Sequence, residues 1–163
     1  YPSLGFFEGT TISIGRGTDF PFQVFGSPRF PQTEFVFTPE SRPGVSANPP
    51  LLGENCNGFD LRDYNLDYFY NRKSINLKWL TYAYQVFPNK DKFFNSYFNL
   101  LDGNDELKKQ IIEGYDLETI RKSWLQDIND FKKIRKKYLL YSDFQENDTQ
   151  WKQKFEYILL PIP

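Results

Sequence analysis

The sequence predicts an α+β fold, with a small mixed or antiparallel sheet from the N-terminal part packed against a helical C-terminal part. Two observations carry this. Gly and Pro together make 21 of the 163 residues, and 16 of them fall at or before Gly58. That density of chain-turning residues marks short strands and shaped loops. After Ser74 the apolar residues instead recur in steps of three and four, which is the period of amphipathic helices.

Thr11-Ile12-Ser13-Ile14 alternates polar and apolar and predicts a half-buried strand. Phe22-Gln23-Val24-Phe25 and Glu34-Phe35-Val36-Phe37 are β-branched and aromatic runs bounded by Pro or Gly, and predict two more. Asn57-Gly58-Phe59-Asp60-Leu61 begins another after the proline-rich loop of Pro39 to Pro50.

Ser74 is placed to cap a helix with Leu77, Leu80, Tyr84 and Phe87 on one face, stopped by Pro88. A short helix is expected over Asp91 to Leu101, before Gly103, and another over Asp105 to Glu113, with Leu107 and Ile111 inward and Gly114 as its stop. Asp116 caps the longest predicted helix. Its stripe of Leu117, Ile120, Trp124, Ile128, Phe131, Ile134 and Tyr138 is expected to pack into the core.

Composition narrows the chemistry. Lys+Arg 20 against Asp+Glu 21 gives a net charge of −1, unlike the marked basicity of a nucleic-acid-binding domain. With no His there is no Ser-His-Asp triad, no Cys-His pair and no His-ligated metal. The lone Cys56 forms neither an internal disulfide nor a Cys-rich zinc site, and reads as a small buried hydrophobe. No cofactor or metal is implied, and no apolar run approaches the ~18 residues of a membrane span. The chain holds no Met and opens at Tyr1-Pro2, as expected of a processed product or a piece of something longer.

The candidate site lies at the front. Phe7-Glu8-Gly9-Thr10 and Gly15-Arg16-Gly17-Thr18-Asp19 flank one short predicted strand. Glycines let a turn tighten and a ligand approach the backbone. Successive N–H groups in such a turn can hold an anion. Arg16 between two glycines can offer a planar fork to a carboxylate. Glu8 can accept from sugar hydroxyls or pair with Arg16. The plainer alternative is a hairpin in which a Glu8–Arg16 pair fixes the loop.

The run from Tyr1 to Pro28, YPSLGFFEGTTISIGRGTDFPFQVFGSP, resembles a stretch of the bacterial NamZ-type exo-β-N-acetylmuramidases. The resemblance continues through Cys56-Asn57-Gly58-Phe59-Asp60-Leu61, Tyr84-Gln85-Val86-Phe87-Pro88, Phe93, Leu101 and Gly103, and closes at Arg135-Lys136-Lys137-Tyr138-Leu139-Leu140-Tyr141. It implies the C-terminal α+β domain, residues 1–141, of a peptidoglycan-turnover hydrolase that releases N-acetylmuramic acid from non-reducing ends. It also implies an N-terminal Rossmann-like partner domain that carries the catalytic carboxylates, with the cleft near the junction. Catalytic residues are therefore not assigned in this chain. Glu8, Gly15, Arg16, Gly17 and Thr18 are the expected substrate-binding residues, with muropeptide or glycan fragments as ligand. The lactyl carboxylate of muramic acid suits Arg16. Such a substrate implies a periplasmic or secreted location. A non-catalytic module binding glycan or protein is the alternative.

Three further features lie outside that site. Residues 142–163 run past the resemblance, and Trp151, Phe155 and Tyr157 suggest docking on the body. Lys132 to Lys137 form a basic run on the last helix that either touches anionic polymer or lies solvated. Tyr64, Tyr68, Phe69 and Tyr70 either stack on sugars or pack.

Overall fold

The computed structural model describes residues 1–64, 68 and 74–143. The chain divides into two units, Tyr1–Ile120 and Arg121–Pro163.

In the first unit, β1 (Val24–Ser27), β2 (Phe35–Phe37) and β3 (Cys56–Asp60) form an antiparallel sheet in the order β1-β3-β2. Val24 pairs with Asp60 and Ser27 with Asn57 on one side of β3, and Phe37 pairs with Cys56 on the other. The last strand is thus the central one, and the loop of residues 39–55 brings the chain back to place it. That loop is ordered by its own contacts, including a two-way backbone bond between Arg42 and Ser46.

The front of the chain departs from expectation. Pro2–Gly5 is a helical turn, α1, and Phe6–Gly9 follows as a 3₁₀ turn. Pro2 has the fixed φ that suits a first helical position. Residues 11–14 are not the predicted half-buried strand, since Ile12, Ser13 and Ile14 are all buried. The reason is that this segment has neighbours on both sides. Ser13 exchanges two backbone bonds with Gly26 of β1, while Thr11 N–H donates to Phe93 O and Asn95 N–H to Gly9 O. It is a strap from the sheet to the helical part.

α2 (Lys78–Val86) places Leu80 and Ala83 in the core, with Leu77 and Phe87 buried at its two ends and Tyr84 half-buried. Its start is held by Asn76, whose Oδ1 accepts from Lys78 N–H at 3.0 Å, and not by Ser74. Asn76 is buried, and its N–H donates to Ser3 Oγ and its Nδ2 to Tyr68 OH. The helix expected over Asp91 to Leu101 is instead a 3₁₀ turn, Lys90–Lys92, and a separate α3, Phe98–Asp102. Between them Phe93 and Phe94 turn inward, so tertiary packing overrides the helical pattern. α4 (Glu106–Ile112) buries Leu107 and Ile111 as expected. Gly103 and Gly114 end α3 and α4 in the left-handed conformation.

Among the described residues of this unit, nine aromatic side chains are buried in the core. Phe7 stacks on Phe25 at 5.0 Å, Phe25 on Phe59 at 5.1 Å, and Tyr82 meets Phe59 edge-on at 5.3 Å. Phe30 then links Phe59 to Phe87, and Phe93, Phe94 and Phe98 continue the chain of rings under the strap. A buried ring of this size contributes about 1.5–3 kcal/mol by transfer from water. Tyr64 packs edge-on against Tyr68 and Trp79. Phe69 and Tyr70 lie outside the described residues.

The longest predicted helix is broken. Asp116 does cap its start, with Oδ1 accepting from Thr119 N–H at 2.8 Å. The run then divides at Trp124 into α5 (Leu117–Ser123) and α6 (Leu125–Arg135), followed by a 3₁₀ turn, Lys136–Tyr138. Trp124 N–H bonds Arg121 O, three residues back, which marks the break. Ile120 is fully buried, but Ile128, Phe131, Ile134 and Tyr138 are exposed. The stripe is therefore core only as far as α5. Arg135 closes the described part of the second unit with a two-pronged bond to Asp143 at 2.8 and 3.0 Å. Residues 144–163, with Trp151, Phe155 and Tyr157, lie outside the described residues.

Candidate functional site

The strap leads into the loop Gly15-Arg16-Gly17-Thr18. Gly15 and Gly17 have φ of +79° and +84°, which favour glycine. Space is closed as well. A Cβ on Gly17 would stand 2.6 Å from Glu40 O, and one on Gly15 would stand 2.7 Å from a Val24 methyl. Thr18 closes the turn from inside. Its N–H and hydroxyl both donate to Gly15 O, and its Oγ1 accepts from Phe20 N–H. From outside, Gly17 O accepts from Glu40 N–H at 3.0 Å and from Arg42 Nε at 3.1 Å. Arg42 also reaches Asp19 Oδ1 at 2.7 Å, so the far side of the loop is tied. That side lines a shallow open depression with Asp19, Thr38, Glu40 and Arg42.

Of the five expected site residues, Gly15, Gly17 and Thr18 are buried and shape the turn. Arg16 and Glu8 reach the surface, with side chains 42% and 27% exposed. Arg16 Nη2 donates to Glu8 Oε1 at 2.8 Å. That is the only hydrogen bond of the guanidinium among the described residues, and it leaves most of the fork's donors for a ligand. The 3₁₀ turn holds Glu8 from below. Asn95, distant in sequence, donates from Nδ2 to Glu8 O and Thr10 O at 3.2 Å each.

Three residues at this site were not singled out from the sequence: Phe22, Tyr1 and Asn95. The Arg16 guanidinium lies 4.7 Å from the centre of the Phe22 ring, and Tyr1, 68% exposed, meets that ring edge-on at 4.8 Å. Phe22 has φ of +61°, so it does not begin the strand expected of it. Gln23 N–H donates to Phe20 O, and Pro21 stands second in that four-residue turn. Phe22 thus occupies the third place of a type II-like turn, where Gly or Asn is usual. Such a backbone costs about 1–3 kcal/mol and persists where the surroundings fix it, often at a binding site. The signal was there in Phe20-Pro21-Phe22, since Pro in second place announces the turn.

The arrangement offers a guanidinium supported by a carboxylate beneath and an aromatic face beside it. Its free edge suits a carboxylate or a pair of hydroxyls.

The chain has recognisable relatives. Residues 1–141 match the family described as exo-beta-N-acetylmuramidase NamZ, C-terminal. The peptidoglycan beta-N-acetylmuramidase NamZ of Bacillus subtilis (strain 168) is 34% identical over 152 residues, an overlap of 86% of this chain and 36% of that protein. The crystal structure of a DUF1343 family protein from Bacteroides fragilis superposes with a TM-score of 0.82 at 42% identity, over 88% of this chain and 40% of that one. The chain spans less than half the length of either relative. By the family match over residues 1–141, the chain belongs to the C-terminal family of the NamZ exo-β-N-acetylmuramidases.

Proposed function

We propose that this chain is the C-terminal part of a glycoside hydrolase that releases N-acetylmuramic acid from the non-reducing ends of peptidoglycan fragments. In this reading it supplies one wall of the cleft. The observation that carries the proposal is the Arg16 fork, bound by one nitrogen to Glu8 and carried on a turn whose two flanking glycines hold left-handed backbone. Muramic acid differs from glucosamine by a lactyl carboxylate, and a half-exposed guanidinium discriminates in favour of that group by a charge-assisted, two-pronged bond. Gly15, Gly17 and Thr18 set the angle at which the fork is presented. Glu8 orients it and accepts from a sugar hydroxyl through Oε2.

Glycoside hydrolysis ordinarily needs two carboxyl groups about 5–10 Å apart, and requires neither His nor a metal. In our reading that pair belongs to an N-terminal Rossmann-like domain of the same protein, and the substrate lies between the two parts. Peptidoglycan fragments with free ends occur in the periplasm or outside the cell, which is where we place the protein's action. Release of a chromogenic aglycone from a β-N-acetylmuraminide tests the division of labour. The assembled protein is expected to turn the substrate over and the isolated 163-residue chain is not. Turnover by this chain alone would sink the assignment of catalysis to the other part.

A further inference from the structure

Among the described residues, one hydrogen bond holds the Arg16 guanidinium, from Nη2 to Glu8 Oε1 at 2.8 Å. A planar group can pivot about a single bond. A two-pronged bond to a carboxylate needs the plane fixed, because two N–H groups must meet two oxygens together. Phe22 supplies the second constraint. Arg16 Cζ stands 4.7 Å from the centre of that ring, and guanidinium groups stack on aromatic faces. The ring is itself held. Phe22 N–H donates to Ile14 O at 2.8 Å, Gln23 N–H donates to Phe20 O at 3.2 Å, and Tyr1 meets the ring edge-on at 4.8 Å. The backbone that carries it has φ of +61°, at a place in the turn that Gly would fill without strain. Glycine there would relieve the backbone and leave Arg16 without a ring.

We propose that Phe22 is a positioning residue, whose ring fixes the plane of the Arg16 guanidinium and so presents its free edge to a sugar-borne carboxylate at one angle. This rests on the reading that Arg16 receives the lactyl carboxylate, and it adds how the site selects that group. Charge alone attracts any anion. A fixed plane favours a flat group with two oxygens, set in line with the fork. Glu8 takes one nitrogen of the guanidinium and Phe22 takes one face, so neither competes for the edge left to the ligand. Phe22 does not have to touch the substrate, since it acts through Arg16. Its left-handed backbone is the cost of that aim, and it persists because the hydrogen bonds of the turn fix it.

The test has a spectroscopic arm and a kinetic arm. In the first, NMR of the 163-residue chain reads the side-chain signals of Arg16, which the Phe22 ring current displaces. Phe22→Leu keeps an apolar side chain without a π face and is expected to abolish that displacement, while Phe22→Tyr keeps it. In the second, the assembled protein is assayed on a chromogenic β-N-acetylmuraminide. Phe22→Leu is expected to raise KM about five-fold, as befits a lost cation–π contact, and to move kcat less. Phe22→Tyr is expected to restore KM. Phe22→Gly relieves the backbone, so it is expected to melt no lower than Phe22→Leu and yet to show the same raised KM. Adding Phe22→Leu to Arg16→Ala is expected to do no further harm, because Phe22 acts through Arg16. Arg16 signals that ignore Phe22→Leu would overturn the proposal. So would losses that multiply in the double variant, a Tyr variant as impaired as Leu, or an unchanged KM in Phe22→Leu or Phe22→Gly while Arg16→Ala is impaired. If Arg16→Ala itself leaves KM and kcat unchanged, the proposed role of Arg16 falls first and this proposal falls with it.

Discussion

Arg16 Nη2 donates to Glu8 Oε1 at 2.8 Å, and the two side chains come from different elements, a pinned glycine turn and a 3₁₀ turn. An ion pair this open to solvent contributes little to stability, about 0–1 kcal/mol. Its geometry serves better as a means of aiming the guanidinium. If the proposed function holds, Arg16→Ala in the assembled protein is expected to weaken transition-state binding of muramic substrates, read as kcat/KM, by about 1.5–3 kcal/mol, the range for a hydrogen bond to a charged group. Arg16→Lys keeps the charge without the fork and is expected to fall between the two. The melting temperature is expected to change little. A large drop in melting temperature, with the folded fraction as active as before, would make the pair a loop clamp and nothing more.

Gly17→Ala separates backbone shape from side-chain chemistry at the same loop. A Cβ there would meet Glu40 O at 2.6 Å and Pro49 Cγ at 2.7 Å, on a backbone with φ of +84°. Strain and clash together are expected to cost about 2–4 kcal/mol. Gly44 is the control, with φ of +82° and nothing within 4 Å of the place a Cβ would take. Gly44→Ala meets the conformational cost alone, about 1 kcal/mol. Urea unfolding of the two variants measures the difference. Equal losses would show that the contacts with Glu40 and Pro49 yield freely.

The α+β division, the strand cores and the ends of α3 and α4 were legible because each is a local signal. Val24, Phe25, Phe35 and Phe37 are β-formers between turn residues, and Gly103 and Gly114 stop helices by their own conformational freedom. What the sequence hid was decided by tertiary contact. Residues 11–14 alternate in type, yet Ser13 is buried because Gly26 takes both its backbone groups. Phe93 and Phe94 interrupt a helical pattern because their rings complete the aromatic core. At the candidate site, the Glu8–Arg16 pair was legible from the glycines around it. Pro21 announces the turn, but the aromatic support from Phe22 was missed because a strand-forming residue sits in the turn's left-handed position. The helix stripe was the reverse case, a strong local pattern whose second half has no cover among the described residues.

Cys56 offers a test of the core. Burial pushes its thiol up to about 12, with the nearby Glu54 charge adding to the effect. The thiolate is the reactive form, so at pH 8 only about one thiol in ten thousand is available. The folded chain is expected to resist a thiol-reactive disulfide reagent, and denaturant is expected to release one equivalent at once. Rapid labelling without denaturant would show that the sheet opens at β3.

Asp102, at the end of α3, gives a pH-dependent test. Its Oδ2 accepts from Leu107 N–H at 3.3 Å across the start of α4, which favours the charged form. Burial acts the other way, helped by the charges of Glu106 and Asp105, and the net effect raises the carboxyl above its ordinary range. A carboxyl raised on folding stabilises the protein fully below its unfolded value of ~3.9 and loses that contribution as pH rises through the folded value. At neutral pH the buried charge is therefore a liability. Asp102→Asn keeps an oxygen to accept from Leu107 N–H and removes the charge. It is expected to raise the melting temperature at pH 7 and to match the unsubstituted chain at about pH 3, where both carry a neutral side chain. Asp102→Ala loses the acceptor and is expected to lower the melting temperature at pH 3, where charge plays no part. If the Asn variant melts lower than the unsubstituted chain at pH 7, the attraction between the carboxylate and the first turn of α4 outweighs burial, and the sign is reversed.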